Sequence, residues 1–155
     1  KVFIFIRNPI KALPSVVVEN TMVKSYQFRK SWILKYFNVD LDEFSNPFDR
    51  ACASILYWYK LCELKPVEGV VRIDDLGSIE NFLKEIGVNN SDLIGGALAT
   101  PIQNTAELKW MGDGGGKVKP LLNEDSWGCM NGTLREKIIQ LSEAYGYDEP
   151  SLFLS

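Results

Sequence analysis

The sequence predicts an α/β fold that is rich in helices, short of strands and built on a parallel sheet. An unbroken apolar run, Val2-Phe3-Ile4-Phe5-Ile6, opens the chain. A second short apolar run, Val70-Val71, lies well downstream. Stretches with apolar residues at helical spacing stand between and after the two. A short continuous run of β-branched and aromatic residues is the pattern of a strand buried on both faces, as parallel strands are. Strands separated by helices build parallel sheets.

The first strand ends in Arg7-Asn8-Pro9. Proline with its fixed φ starts a helix well, so a helix is expected from residue 9 to about 23. Pro14 predicts a kink or a late start within it. The carboxyl end of a parallel strand meeting a helix N-terminus is a common anion-binding corner. A guanidinium at Arg7 and a hydroxyl at Ser15, eight residues later, suit a phosphate group. Exposed N–H groups of the first helical turn are expected to add donors.

A second helix, from about 25 to 37, carries Tyr26, Phe28, Trp32, Ile33, Tyr36 and Phe37. These aromatics are expected to pack in the core, the other reading being a wall on the substrate side. Residues 38–46 form an acidic stretch, expected to be a solvated loop. Asp40, Asp42 and Glu43 lack the turn glycine and distant glutamate of an EF-hand.

Asn46-Pro47 begins a longer helix, to about residue 64, whose stripe runs Phe48, Ala51, Cys52, Ile55, Leu56, Tyr59, Cys62. Tyr57 and Trp58 widen that stripe. Val70 and Val71 mark the second strand, expected to be buried. It closes in Arg72-Ile73-Asp74-Asp75-Leu76, where Asp74 and Asp75 are expected to cap the next helix. That helix has the stripe Ile79, Phe82, Leu83, Ile86 and stops at Gly87. Residues 88–109 are weakly patterned, with a short helix at best near Leu93 to Ala99. Four glycines between Gly112 and Gly116 make the next segment a loop, without Walker A spacing. Thr133-Leu-Arg-Glu136 reads as a capping box for a last helix, with Leu134, Ile138, Ile139, Leu141 and Tyr145 on its apolar side and Gly146 as its stop.

The chain has 155 residues, 46% hydrophobic and 24% charged, the composition of an ordered globular domain. A net charge of −3 disfavours a nucleic-acid binder but leaves room for a local basic pocket. No apolar stretch reaches the ~20 residues of a membrane span. The three cysteines lack CxxC spacing and fit reduced thiols better than a disulfide framework. With no histidine, the segment contains no Ser-His-Asp triad and no His-based general base. The chain opens without Met, directly in a strand, and is expected to be a piece of a longer protein whose cellular address is unseen.

Arg7-Asn8-Pro9 with Ser15 resembles the 3′-phosphate-binding element of sulfotransferases that use 3′-phosphoadenosine 5′-phosphosulfate (PAPS). Arg72-Ile73-Asp74-Asp75-Leu76 is similar to the family's middle strand end, with Ile73 in place of an aromatic that touches adenine in some members. Tyr145-Gly146-Tyr147 looks like the family's terminal motif, where its role is structural. The order of these islands covers nearly the whole chain. The resemblance implies a P-loop-like sulfotransferase fold, of which residues 1–155 form a partial domain, the helix-rich C-terminal portion. Its phosphosulfate loop and catalytic base would lie upstream, so the segment alone is expected to be inactive. It implies PAPS as cosubstrate, no metal, and a small-molecule or carbohydrate acceptor with a hydroxyl or amine. Arg7, Ser15 and Lys117 are the implied nucleotide contacts, Lys117 through a glycine-rich loop closing over the 3′-phosphate. The alternatives are a non-catalytic module of the same fold and another nucleotide-handling P-loop enzyme.

Overall fold

The computed structural model describes residues 2–89, 94–96 and 120–147. It is a helix-rich α/β structure with a two-stranded parallel sheet. β1 (Phe3–Ile6) pairs with β2 (Gly69–Arg72), in a register that sets Phe3 opposite Gly69 and Ile6 opposite Arg72. Strand side chains alternate between faces. Ile4 and Ile6 are buried on one face, which Val70 and Arg72 share. Phe3 and Phe5, on the other, meet Phe82 edge-on, with ring centroids 5.0 Å apart in both pairs. Neither face is fully covered: Val71 is buried beside Phe5, but Phe5 itself is 53% exposed, and Val70 on the first face is 42% exposed. The expectation of strands buried on both faces therefore fails. A single helix lies over the second face, and its ring contacts leave much of it open.

α1 (Pro9–Glu19) is capped by the side chain of Asn8, which accepts from the N–H groups of Ile10 and Lys11. The helix continues through a buried Pro14, which removes one N–H from the ladder without ending it. α2 (Val23–Phe37) stops at Asn38 in the left-handed conformation, φ 53°. Its aromatics are not core as expected. Only Tyr26 and Ile33 are buried, while Phe28 and Tyr36 are exposed and Trp32 is half-buried. The rings instead pack on one another as a surface band, Trp58 to Phe28 to Trp32 to Tyr36, with Trp32 and Tyr36 stacked. Lys35 sits over the last two.

The acidic stretch also departs from expectation. It contains a 3-10 turn, Leu41–Glu43, with Leu41 fully buried in the core. Asp42 accepts from the Tyr26 hydroxyl and from Lys30, whose ammonium also reaches Asp40 at 3.1 Å. These acids fasten the turn to α2. The charged partner holds the Asp42 carboxyl below its usual range, and the Tyr26 hydroxyl bonded to it does the same. Burial, then the bond to Asp42, pushes the Tyr26 phenol up to about 12. Stability from this raised value is intact below the ordinary phenol pKa near 10 and is lost as pH climbs through 10 toward 12, because the unfolded chain ionises first. The urea midpoint is expected to fall across that window, and Tyr26→Phe to make the fall shallower. An equal slope in both proteins would show that Tyr26 is not the linked group.

α3 (Pro47–Cys62) begins as foreseen, with Asn46 as cap and Pro47 in the first turn. It buries every residue from Ala51 to Leu56. α4 (Leu76–Glu85) is capped by Asp75 alone, and Gly87 at φ 93° ends it. Residues 94–96 are helical, with Ile94 buried. The rest of the expected helix from Leu93 to Ala99 lies outside the described residues, as does the glycine loop with Lys117. α5 (Glu124–Gly128), which the sequence reading did not foresee, carries a reciprocal Asn123–Ser126 capping box. α6 (Gly132–Ala144) is capped by Asn131, not Thr133. Asn131 offers its side-chain oxygen two residues earlier, so the helix starts before Thr133 can act as the cap.

The core lies between α1, α3 and α6, where Leu13, Cys52 and Ile138 are fully buried. All three cysteines are free thiols. Burial raises the pKa of Cys52, whose Sγ lies 3.4 Å from the Leu134 carbonyl oxygen. No helix among the described residues is long and apolar enough to cross a membrane.

Candidate functional site: the carboxyl ends of the two strands

Both strands run the same way, so their carboxyl ends meet at one corner, where Arg72 stands opposite Ile6 and Arg7 follows directly after β1. The Val2 and Ile6 carbonyls accept from Glu68 and Ile73 on the β2 side. Peptide groups alternate in direction along a parallel strand, so those of Phe3 and Phe5 point to the other edge. A cleft of about 510 Å³ runs along that edge, between β1, α1 and α3, within the size range of small-molecule sites.

Arg7 lines this cleft together with Arg29, Lys65, Trp58 and Tyr59. None of its described lining residues is acidic. A chain of net charge −3 thus gathers three cationic side chains around one opening. Arg29 is anchored by Glu19 at 2.8 Å and Asn20 at 3.1 Å, while its buried Nε has no partner among the described residues. Ser54 also lines the cleft, 1% exposed, with an Oγ that has no such partner. Buried polar atoms are nearly always paired, so two unpaired ones beside one largely apolar cleft are a departure from the usual pattern.

Tyr59 joins the cleft to the strand ends. Burial raises the pKa of this phenol, and the nearby backbone and charge of Arg7 pull it the other way. Its ring meets Tyr145 edge-on at 5.6 Å, and the Tyr145 hydroxyl donates to Glu63 at 2.6 Å.

Asp74 is not a helix cap. One of its carboxylate oxygens accepts from the Asn8 backbone N–H at 3.0 Å, the other from the Tyr147 hydroxyl at 2.5 Å. Arg72 donates to the Gly146 carbonyl at 2.8 Å, pairs with Asp75 and stacks over the Tyr147 ring at 5.8 Å. Gly146 has φ 74°, and a Cβ there would lie 3.2 Å from the Arg72 guanidinium. Glycine fits both the left-handed backbone and this close approach.

Of the sequence-predicted contacts, Arg7 is in the cleft. Ser15 is half-buried on α1 but does not line it; α1 contributes Ala12 and Val16 instead. Lys117 lies outside the described residues. The expected free N–H groups of α1 are already used: Asn8 takes those of Ile10 and Lys11 through its side chain and that of Ala12 through its carbonyl. Anion binding at this corner would therefore fall to side chains. Local sequence signals missed Arg29, Lys65 and Tyr59, which line the cleft, and Tyr147, which reaches the corner through Asp74; all come from distant positions without a local motif. Asn8 was legible, since Asn-Pro is a cap followed by a first-turn proline. Among the described residues no cluster of His, Cys, Asp or Glu is placed to hold a metal ion. No protein-family model, no curated protein and no solved structure matches this chain.

Proposed function

We propose that the chain forms the 3′-phosphate side of the nucleotide site of a PAPS-dependent sulfotransferase with a P-loop-like fold. The observation that carries this reading is Arg7. It stands at the carboxyl end of a parallel strand, at the entrance to a helix, and lines a cleft with two further cations and no carboxylate. The Arg7-Asn8-Pro9 order at that point supports it. Arg7 would hold the 3′-phosphate by charge-assisted, bidentate bonds. Lys117 stays a proposed third contact, and Ser15 a proposed hydroxyl donor from outside the cleft.

The proposed reaction moves a sulfuryl group. An acceptor hydroxyl or amine attacks the sulfur and loses its proton to a base, while the bond from sulfur to the bridging phosphate oxygen breaks and 3′-phosphoadenosine 5′-phosphate leaves. Positive side chains stabilise the charge that builds on the leaving oxygen. The reaction class needs no metal, and the acceptor would be a small molecule or a carbohydrate.

The test is calorimetric titration of the full-length protein with 3′-phosphoadenosine 5′-phosphate and with AMP, which lacks the 3′-phosphate. Clear preference for the first supports the reading; equal or absent binding overturns it. A second reading, a non-catalytic module of the same fold, is favoured by the exposed aromatic band on α2. Nucleotide binding without sulfate transfer to any acceptor would select it.

A further inference from the structure

We propose that Asp74 and Tyr147 are positioning residues that hold the Arg7–Asn8 turn in register for a phosphate; this rests on the nucleotide reading above. Neither has another local task. Asp75, not Asp74, caps α4. Tyr147 lies just past the end of α6, beyond the left-handed Gly146. The two meet across the corner and form a relay: Tyr147 hydroxyl to Asp74, then Asp74 to the Asn8 backbone N–H. The bonds span 73 and 66 residues of sequence, so one carboxylate ties together the beginning, middle and end of the described chain.

The relay is braced at its far end. The Arg72 guanidinium, paired with Asp75, grips the Gly146 carbonyl and lies over the Tyr147 ring. That fixes where the phenol stands and so where Asp74 points. At its near end the relay fixes the peptide between Arg7 and Asn8, and the Asn8 side chain is committed to starting α1. Arg7 is therefore set by the bond that Asp74 accepts from the next residue. Such bracing also answers an electrostatic difficulty. A carboxylate near a phosphate site repels the ligand, but here both oxygens are engaged by donors. Groups held this way keep the geometry that a tight site needs.

Tyr147→Phe removes the hydroxyl and keeps the ring over Arg72. In the full-length protein this variant is expected to lower the preference for 3′-phosphoadenosine 5′-phosphate over AMP by about 3- to 10-fold. Exchange of the Asn8 amide hydrogen should quicken, while the melting temperature stays close to wild type. Asp74→Ala should lower the preference further, and Asp74→Asn, which keeps one acceptor, should recover part of it. A merely structural residue would lower stability and leave the preference unchanged. If wild type shows the preference and Tyr147→Phe keeps all of it, with Asn8 exchange unaltered, the relay is overturned while the nucleotide reading stands. If wild type shows no preference, both fall together.

Discussion

Replacing Arg7 by alanine is expected to weaken binding of 3′-phosphoadenosine 5′-phosphate by about 1.5–3 kcal/mol, roughly ten- to a hundred-fold, with AMP affinity nearly unchanged. The range is that of a hydrogen bond to a charged group, and a bidentate contact belongs at its upper end. Arg7→Lys should recover only part, since a point charge cannot make the paired contact. Arg7 is half-buried, and alanine keeps its backbone beside Asn8, whose N–H bonds Asp74. The variant should therefore fold normally. Calorimetry with the two nucleotides reads the result, and equal losses for both would detach Arg7 from the 3′-phosphate.

The second large effect concerns stability. Leu41→Ala is expected to cost about 2–5 kcal/mol, as a full-sized core truncation does. For a chain of this size that corresponds to a fall in melting temperature of roughly 5–20 °C. Glu43, at the other end of the same 3-10 turn, is exposed, and its replacement by alanine should stay within about 0.5 kcal/mol. Thermal melts of the two variants test whether the acidic stretch is a hydrated connection or a plug whose single leucine fills the space beneath α2 and α3.

These residues show what the sequence could and could not disclose. Signals confined to a few neighbours were legible: the Asn46-Pro47 helix start, the stops at Gly87 and Gly146, and the parallel strand pair around an arginine. Each depends on φ preference, capping or periodicity, which act over one or two turns. Leu41 was hidden because one apolar residue among acids has no period, and its burial is decided by helices elsewhere in the chain. Phe28, Trp32 and Tyr36 misled because aromatic content measures the surface available for burial, not whether a neighbour arrives to bury it. In the candidate site, Arg7 came from a local motif, whereas Arg29, Lys65 and Tyr59 along the cleft and the Asp74–Tyr147 pair at the corner are brought together by tertiary packing that no local pattern encodes. Thr133 failed through competition, since Asn131 lay earlier in the chain and took the same role.

The narrow sheet has a consequence for how a ligand would act on the protein. Two strands of four residues, separated by three helices, must close a long loop before they gain any pairing. With one side half open to water, they recover little of that cost by themselves. The strand pair should open locally at lower free energy than the α1–α3–α6 core and surrender its amide protons first. A nucleotide gripped at the strand ends would bind the closed form only, so occupancy would tighten the weakest part of the molecule and slow hydrogen exchange at Ile6 and Val71 far more than at Ile138.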